Sequence, residues 1–181
     1  MAHPEFTLLG DAVWLDFVNS ARGRTLTPPD LLPDSAAFAR WAHAQRLMQL
    51  DGGAPYPVIR EFRRQLTVLA EALDAEVQPP AGAVAAINAI LAGSTGSHRL
   101  TRVSGEWHLQ FAPARALAPL EAIARSAATT LADPGVVVRR CTGETCSLFF
   151  ADSSPNRSRR WCTPAICGTT LRVERRRGPL R

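Results

Sequence analysis

The chain has 181 residues, of which 46% are hydrophobic, and its formal net charge is +5 at pH 7. This length allows one or two domains with an ordinary hydrophobic core, and no apolar run approaches the roughly 20 residues that span a bilayer. The N-terminus also lacks the basic head and apolar stretch of a signal peptide, so we expect a cytoplasmic protein with reduced cysteines and no membrane partner.

In chain order, the first predicted elements are helices. Residues 10–24 form a helix, or a strand-to-helix transition, in which Asp16 and Asn19 are polar groups among inward-facing apolar ones. Asp34 and Ser35 can cap the helix that follows them. The clearest helical pattern comes next, with apolar residues that step by three and four positions. These residues are Ile59, Phe62, Leu66, Leu69 and Leu73.

The second half of the body begins with a short Ala-rich helix at residues 83–93, after which the periodicity changes. Around Trp107, apolar and polar residues alternate, and Ser104 and Gly105 supply a turn, so we predict a β-hairpin. Helical spacing returns over residues 117–132 and ends at a proline and a glycine. The pattern therefore predicts a mainly α protein with a small β-sheet, in the α+β class.

We place a domain boundary where this last helix ends. Residues 1–135 are predicted to be a helical domain, and residues 136–181 a small C-terminal module. The charge is divided in the same way, because residues 139–181 hold ten Arg and three acids, whereas the preceding residues hold eleven Arg and thirteen acids. The respective net charges are +7 and −2. A basic end on a near-neutral body favours a polyanionic partner, although it can also serve only for solubility.

All four cysteines lie in the basic end, as two pairs with one spacing: Cys141-x4-Cys146 and Cys162-x4-Cys167. Thiolates bind Zn²⁺ tetrahedrally at about 2.3 Å, and paired cysteines separated by a loop supply four of them. Disulfides fit a reducing compartment poorly, and an iron–sulfur cluster is the third interpretation. No His lies in residues 139–181, so the predicted ligand set is all cysteine.

The size of the module supports a metal. A segment of about 43 residues has too little apolar surface to be stable through burial alone. Structural zinc contributes on the order of 10–16 kcal/mol of apparent binding free energy in small fingers. A closed four-thiolate site has no open coordination position, and the sequence shows neither a nucleophile elbow nor a phosphate-binding glycine loop. We therefore expect zinc as the cofactor and no enzymatic activity.

Arginines surround the predicted zinc site. Some lie in the loop between the cysteine pairs, and others lie beyond Cys167, where the chain can continue as a helix. A metal that fixes the direction of such a helix would let the arginines reach phosphates or guanine edges. The predicted nucleic-acid contacts are Arg157, Arg159, Arg160, Arg172, Arg175 and Arg176.

The pattern C-x-LFF-x-D-x-S-x-NRSRRWC, followed by C-G, is similar to the C-terminal zinc finger of the CGNR-type proteins. These are bacterial, mostly actinobacterial, stress-induced transcription regulators. Residues 10–24 resemble the LDFVNT opening of that family's N-terminal domain, and the helices and hairpin come in the expected order. The resemblance implies a zinc finger on the four cysteines, with DNA binding assigned to it, and an N-terminal domain that senses a small molecule.

The chain departs from the motif that names this family, Cys-Gly-Asn-Arg. It reads Cys167, Gly168, Thr169 and Thr170 at these positions, so the ligand and the glycine are present but the Asn and the Arg are not. The arginine of the family motif is either a DNA contact or a support for the finger. Its absence here weakens the DNA-binding prediction and hardly affects the zinc prediction.

Three further residues are candidates for ligand binding. Asp16 and Asn19 need hydrogen-bond partners if they are buried. They are either helix-terminal or core hydrogen-bonding groups, or they line a ligand pocket with Trp14 or Trp107. The sequence thus predicts a transcription regulator with DNA and a small-molecule effector as partners, and a homodimer is compatible with this. The alternative is a zinc-stapled protein-interaction module without sequence-specific DNA binding.

Overall fold

The computed structural model describes residues 5–47 and 54–168, and it confirms the predicted mainly helical α+β class. Within these ranges the chain forms five α-helices, two antiparallel two-stranded sheets and one π-helical turn. In the same ranges, no helix is long and apolar enough to cross a bilayer. The elements are α1 (Val13–Asn19), α2 (Ser35–Ala44), α3 (Tyr56–Asp74), α4 (Ala81–Leu91), β1 (Gly96–Val103), β2 (Glu106–Pro113), α5 (Pro119–Ala132), β3 (Val137–Arg140), β4 (Phe149–Asp152) and the π turn (Pro164–Gly168).

Helix α1 lies at the centre of the core. Its apolar residues occupy all sides of a seven-residue helix, as expected for an element that is buried all round. The ring of Phe17 lies 5.8 Å from that of Phe38, 5.4 Å from Trp41 and 6.4 Å from Phe62, which joins α1 to α2 and α3. On the other side, the indole nitrogen of Trp14 donates to the hydroxyl of Thr130 in α5 at 3.0 Å.

Helices α2 and α3 follow the sequence pattern closely. The side chain of Asp34 accepts a hydrogen bond from the backbone of Ala37 at 2.7 Å, which is the predicted N-cap. Of the predicted apolar stripe on α3, all but Leu73 are buried, and Leu73 is half-buried. The buried guanidinium of Arg63 forms a forked ion pair with Asp30, so that α3 also holds the loop between α1 and α2.

Strands β1 and β2 form the predicted hairpin, with Ser104 and Gly105 at its turn. Both turn residues have positive φ, 50° and 92°, as in the turns that suit the twist of a two-stranded ribbon. The alternation gives the hairpin one apolar face, on which Leu100 lies opposite Leu109 and Trp107 lies opposite an arginine. This face is exposed, since Leu109 is 69% and Trp107 65% accessible to solvent.

Strands β3 and β4 pack against the helical body. Val138, Phe149 and Ala151 are buried in the same core as α1 and α3, although they lie beyond the predicted domain boundary. The guanidinium of Arg22 stacks on the ring of Phe149 at 4.6 Å. The C-terminal module therefore shares its first two strands with the body, and a second core forms around the cysteines.

The buried side chain of Asn19 connects α1 to β4. Its amide nitrogen donates to the carbonyl of Phe149 at 2.8 Å, and its amide oxygen accepts from the backbone nitrogen of Phe149 at 2.9 Å. The side chain thus satisfies both backbone groups of Phe149, 130 residues away, as a neighbouring strand would.

We expect Asn19→Ala to lower the free energy of unfolding by about 3 kcal/mol, because it leaves two buried backbone groups without a partner. Urea denaturation followed by circular dichroism measures this. The matched control is Asn88→Ala on the exposed side of α4, which is expected to change stability by less than about 0.5 kcal/mol. Equal effects of the two substitutions would show that the Asn19 contact contributes nothing.

Candidate metal centre

The four cysteines meet in one buried cluster. Their Sγ atoms all lie within 4.8 Å of one another, and all four thiols are free. The Sγ of Cys162 lies 3.9 Å from that of Cys146 and 3.7 Å from that of Cys167. A tetrahedron of sulfurs around Zn²⁺ with bonds of about 2.3 Å has edges of about 3.8 Å. The observed separations therefore fit a four-thiolate zinc site.

Backbone hydrogen bonds bring the two cysteine pairs together. Cys141 follows β3, and its nitrogen donates to the carbonyl of Leu148 at 2.8 Å, which closes the first loop. The next nitrogen, that of Thr142, donates to the carbonyl of Arg160 at 2.9 Å and joins the first loop to the second. Cys167 lies in the π turn, where its nitrogen donates to Thr163.

Two glycines allow this close packing. A Cβ added to Gly143 would lie 3.1 Å from the Cβ of Cys146 and 3.3 Å from the Sγ of Cys167. A Cβ added to Gly168 would lie 3.3 Å from the ring of Trp161. All three distances are tighter than ordinary contacts, so any side chain there would push against the cysteine cluster or the tryptophan packed against it. This gives a physical reason for the Cys-Gly pair at residues 167–168.

The charges of the thiols also favour a cation. A hydrogen bond from Cys162 lowers the pKa of Cys146 to about 5. The hydrogen bond with Cys146, together with burial, raises the pKa of Cys162, and burial raises that of Cys167 to about 11. One thiol thus ionises easily, whereas ionisation of its neighbours is disfavoured, because buried negative charges repel one another. A divalent cation at the centre offsets this repulsion, so that all four thiols can ionise and bind it.

Asp152 organises the loop between the cysteine pairs, a role that the sequence analysis missed. Its buried carboxylate accepts hydrogen bonds from the backbone and hydroxyl of Ser154 and from the backbone of Arg159. Burial raises the pKa of Asp152, but these hydrogen bonds outweigh it, so the pKa lies below its ordinary value. The sequence signal was the Asp-x-Ser spacing, which is typical of a turn closed by an aspartate side chain.

The structure separates the predicted nucleic-acid contacts into three groups. Arg157 and Arg160 are exposed in the loop between the cysteine pairs. Arg159 is turned inward, where its guanidinium binds the carboxylate of Asp11 and the carbonyls of Trp161 and Cys162, and it stacks on Phe150 at 4.5 Å. The remaining three lie outside the described residues, as does the predicted helix that carries them: Arg172, Arg175 and Arg176.

The three candidate ligand-binding residues lie in two different environments. Asp16 is buried, and it accepts hydrogen bonds from the backbone of Gly10 and from the side chain of Gln45. Asn19 is fully buried against β4, whereas Trp107 is exposed on the hairpin, where the guanidinium of Arg102 lies 5.7 Å from its ring centre. The contacts of Asp16 and Asn19 are those of core hydrogen-bonding groups, and their ligand role stays a prediction.

This geometry defines a class: a helical domain joined to a small four-cysteine zinc finger. Residues 11–134 match the ABATE family model, described as "Putative stress-induced transcription regulator", and residues 138–178 match the CGNR zinc finger. The first match covers more than half of the chain, so the chain belongs to the ABATE family, and it carries a CGNR zinc finger with zinc as its cofactor. Neither is a family of enzymes. A comparison with curated proteins finds no significant match.

We expect Cys162→Ser to abolish stoichiometric zinc binding, because the substitution removes one of the four sulfurs that converge on the site. Helices α1 to α5 should keep their circular dichroism signal, since they belong to the body, and the loss of structure should be confined to the two cysteine-bearing loops, one between β3 and β4 and one beyond β4. Zinc is measured by mass spectrometry of the purified protein. The exposed-loop variant Ser158→Ala serves as the control, and full metal content in Cys162→Ser would contradict the ligand assignment.

We expect Asp16 to make stability fall as pH rises. Burial raises its pKa from 3.8 to about 6, so between these values the folded chain holds a proton that the unfolded chain has lost. Relative to Asp16→Asn, the wild type should therefore lose about 2 kcal/mol of unfolding free energy between pH 4.5 and pH 7.5. Urea titrations at the two pH values measure this. The exposed-carboxylate variant Glu106→Gln is the control, and a pH-independent difference for Asp16→Asn would refute the expectation.

Proposed function

We propose that this protein is a DNA-binding transcription regulator in which all four cysteines ligate one structural zinc ion. The closed site shapes the loop between the cysteine pairs, and that loop presents Arg157 and Arg160 to the phosphate backbone of DNA. The ion performs no chemistry on a substrate, because four thiolates fill its coordination sphere. The helical domain senses a small molecule and controls the finger.

The observation that carries this proposal is the sorting of the arginines around the zinc site. Arg159 is held inside by Asp11 and by backbone carbonyls, whereas Arg157 and Arg160 on either side of it point to solvent. Arg140, at the end of β3, is also exposed. A rigid, metal-fixed surface with several exposed guanidinium groups suits contact with a polyanion, since it orders these groups before binding.

Contacts between the finger and the body support control of one by the other. The backbone of Ala151 in β4 donates to the carbonyl of Gly10 at 2.8 Å, and the hydroxyl of Thr145 donates to the carbonyl of Arg24 at 2.9 Å. The Ala151 and Asn19 contacts occupy the outer edge of β4, and the Thr145 contact holds the first cysteine loop to the body. The finger is thus built onto the body, and a change in the body reaches it directly.

A second candidate function is a protein-interaction module, and the hairpin favours it. Its apolar face exposes Leu100, Trp107 and Leu109, each more than half accessible to solvent. Exposed aromatic and aliphatic side chains in a contiguous row are typical of interaction surfaces. In this case the zinc would stabilise the fold without a role in DNA binding.

Fluorescence anisotropy with duplex DNA at several salt concentrations tests the DNA proposal. We expect Arg157→Gln and Arg160→Gln each to weaken binding and to reduce the slope of log affinity against log salt by about 0.9, the effect of one lost phosphate contact. Arg64→Gln on the exposed face of α3 should leave both quantities unchanged.

Arg159→Gln tests the inward-facing arginine separately from the exposed Arg157 and Arg160. It should accelerate zinc loss to a chelator, because it removes the contacts that hold the chain at Cys162. Failure of the wild type to bind any duplex, or binding without salt dependence, would refute the DNA proposal and favour the interaction module.

A further inference from the structure

A shallow cleft of about 460 Å³, wide open to solvent, lies between the start of α1 and one side of α5. Its volume lies within the range of small-molecule sites, about 300–1,000 Å³. Val13 and Leu117 contribute apolar walls, and Asp11 and Arg125 contribute the charged groups. The cleft belongs to the body and lies outside the cysteine cluster.

Arg125 gives the cleft its net positive character. Among the residues that the structure describes, its guanidinium contacts only Phe111, with a hydrogen bond to the carbonyl at 3.3 Å and the ring centre 5.9 Å away. An arginine guanidinium has five N–H donors, so most of the donors of Arg125 remain available to a ligand. The opposite charge, Asp11, is already paired with Arg159 at 2.5 Å. An anion is therefore favoured over a cation in this cleft.

We infer that the cleft binds a small amphipathic carboxylate, with its carboxylate on Arg125 and its apolar part between Val13 and Leu117. Guanidinium and carboxylate match in a bidentate, planar geometry, which gives the orientation. The hydroxyls of Ser126 and Thr129, on the same side of α5, line the cleft within the same turn and a half of helix. The inference rests on the proposed function and deepens it, since it locates the effector site and names the class of effector.

The cleft is connected to the zinc finger through Asp11. The carboxylate of Asp11 lines the cleft and also holds Arg159, whose guanidinium donates to the carbonyl of Cys162 next to the cluster. A ligand carboxylate bound to Arg125 adds negative charge to the cleft that Asp11 also lines, and this charge repels the carboxylate of Asp11. Occupancy of the cleft therefore loosens the contact between Asp11 and Arg159 and frees the chain at Cys162.

Binding is tested with 2-naphthoate as the probe and 2-naphthamide as its neutral counterpart of the same shape. Isothermal titration of the zinc-loaded full chain, without DNA, should show naphthoate binding at least tenfold more tightly than naphthamide. Arg125→Gln should remove this preference, and Arg99→Gln, which makes the same charge change on the exposed hairpin, should keep it. Equal affinity of the two probes for the wild type, or no binding of either, would overturn the inference.

Transmission to the finger is tested by the rate of zinc transfer to a coloured chelator. Saturating naphthoate should at least double this rate in the wild type. In Asp11→Asn, naphthoate should still bind but should no longer change the rate, because the ion pair with Arg159 is already lost. An unchanged rate in the wild type with naphthoate bound would refute the connection. Neither arm contains DNA, so a failure here is separable from a failure of DNA binding.

Discussion

The convergence of four sulfurs from two distant pairs is the constraint on which the C-terminal half depends. Buried thiols at these separations cannot all ionise by themselves, and the opposing pKa shifts of Cys146 and Cys162 express this. A zinc ion resolves the conflict and joins the two loops. The loop between the two cysteine pairs is then held in one conformation, in which Asp152 and Arg159 form their hydrogen bonds and ion pairs. Without the ion, the small core around the cysteines has few apolar residues to replace it.

The finger and the body are physically one unit in the described part of the chain, despite their two family matches. The side chain of Asn19 and the backbone of Gly10 both bind β4, and Phe149 and Ala151 are buried in the core of the body. Such a junction differs from a flexible linker between independent domains, because direct hydrogen bonds and shared core residues fix β4 against α1 and the loop before it. The proposed control of the finger by the body rests on this junction, which consists largely of ordinary hydrogen bonds to the backbone of β4.

Local patterns in the sequence predicted much of this structure. Spacing of three and four placed α3, the pair Ser104 and Gly105 placed the hairpin turn, and the repeated cysteine spacing gave the cluster and its metal. Contacts between distant residues could not be predicted in the same way. Asn19 and Phe149 are far apart in sequence, and nothing local distinguishes an arginine that faces inward from its neighbours. Arg159 differs from Arg160 because the fold surrounds it with the carboxylate of Asp11, the ring of Phe150 and two backbone carbonyls. Alternation likewise revealed an apolar face on the hairpin but not whether that face is covered.

X-ray absorption spectroscopy at the zinc edge tests the central claim most directly, because it reports the number and type of atoms bound to the metal in the intact protein. The account predicts four sulfur neighbours at about 2.3 Å and no lighter ligand. A shell that contains nitrogen or oxygen at about 2.0–2.1 Å, or fewer than four sulfurs, would contradict it. Such a result would mean that the ion does not close the two cysteine pairs into one site.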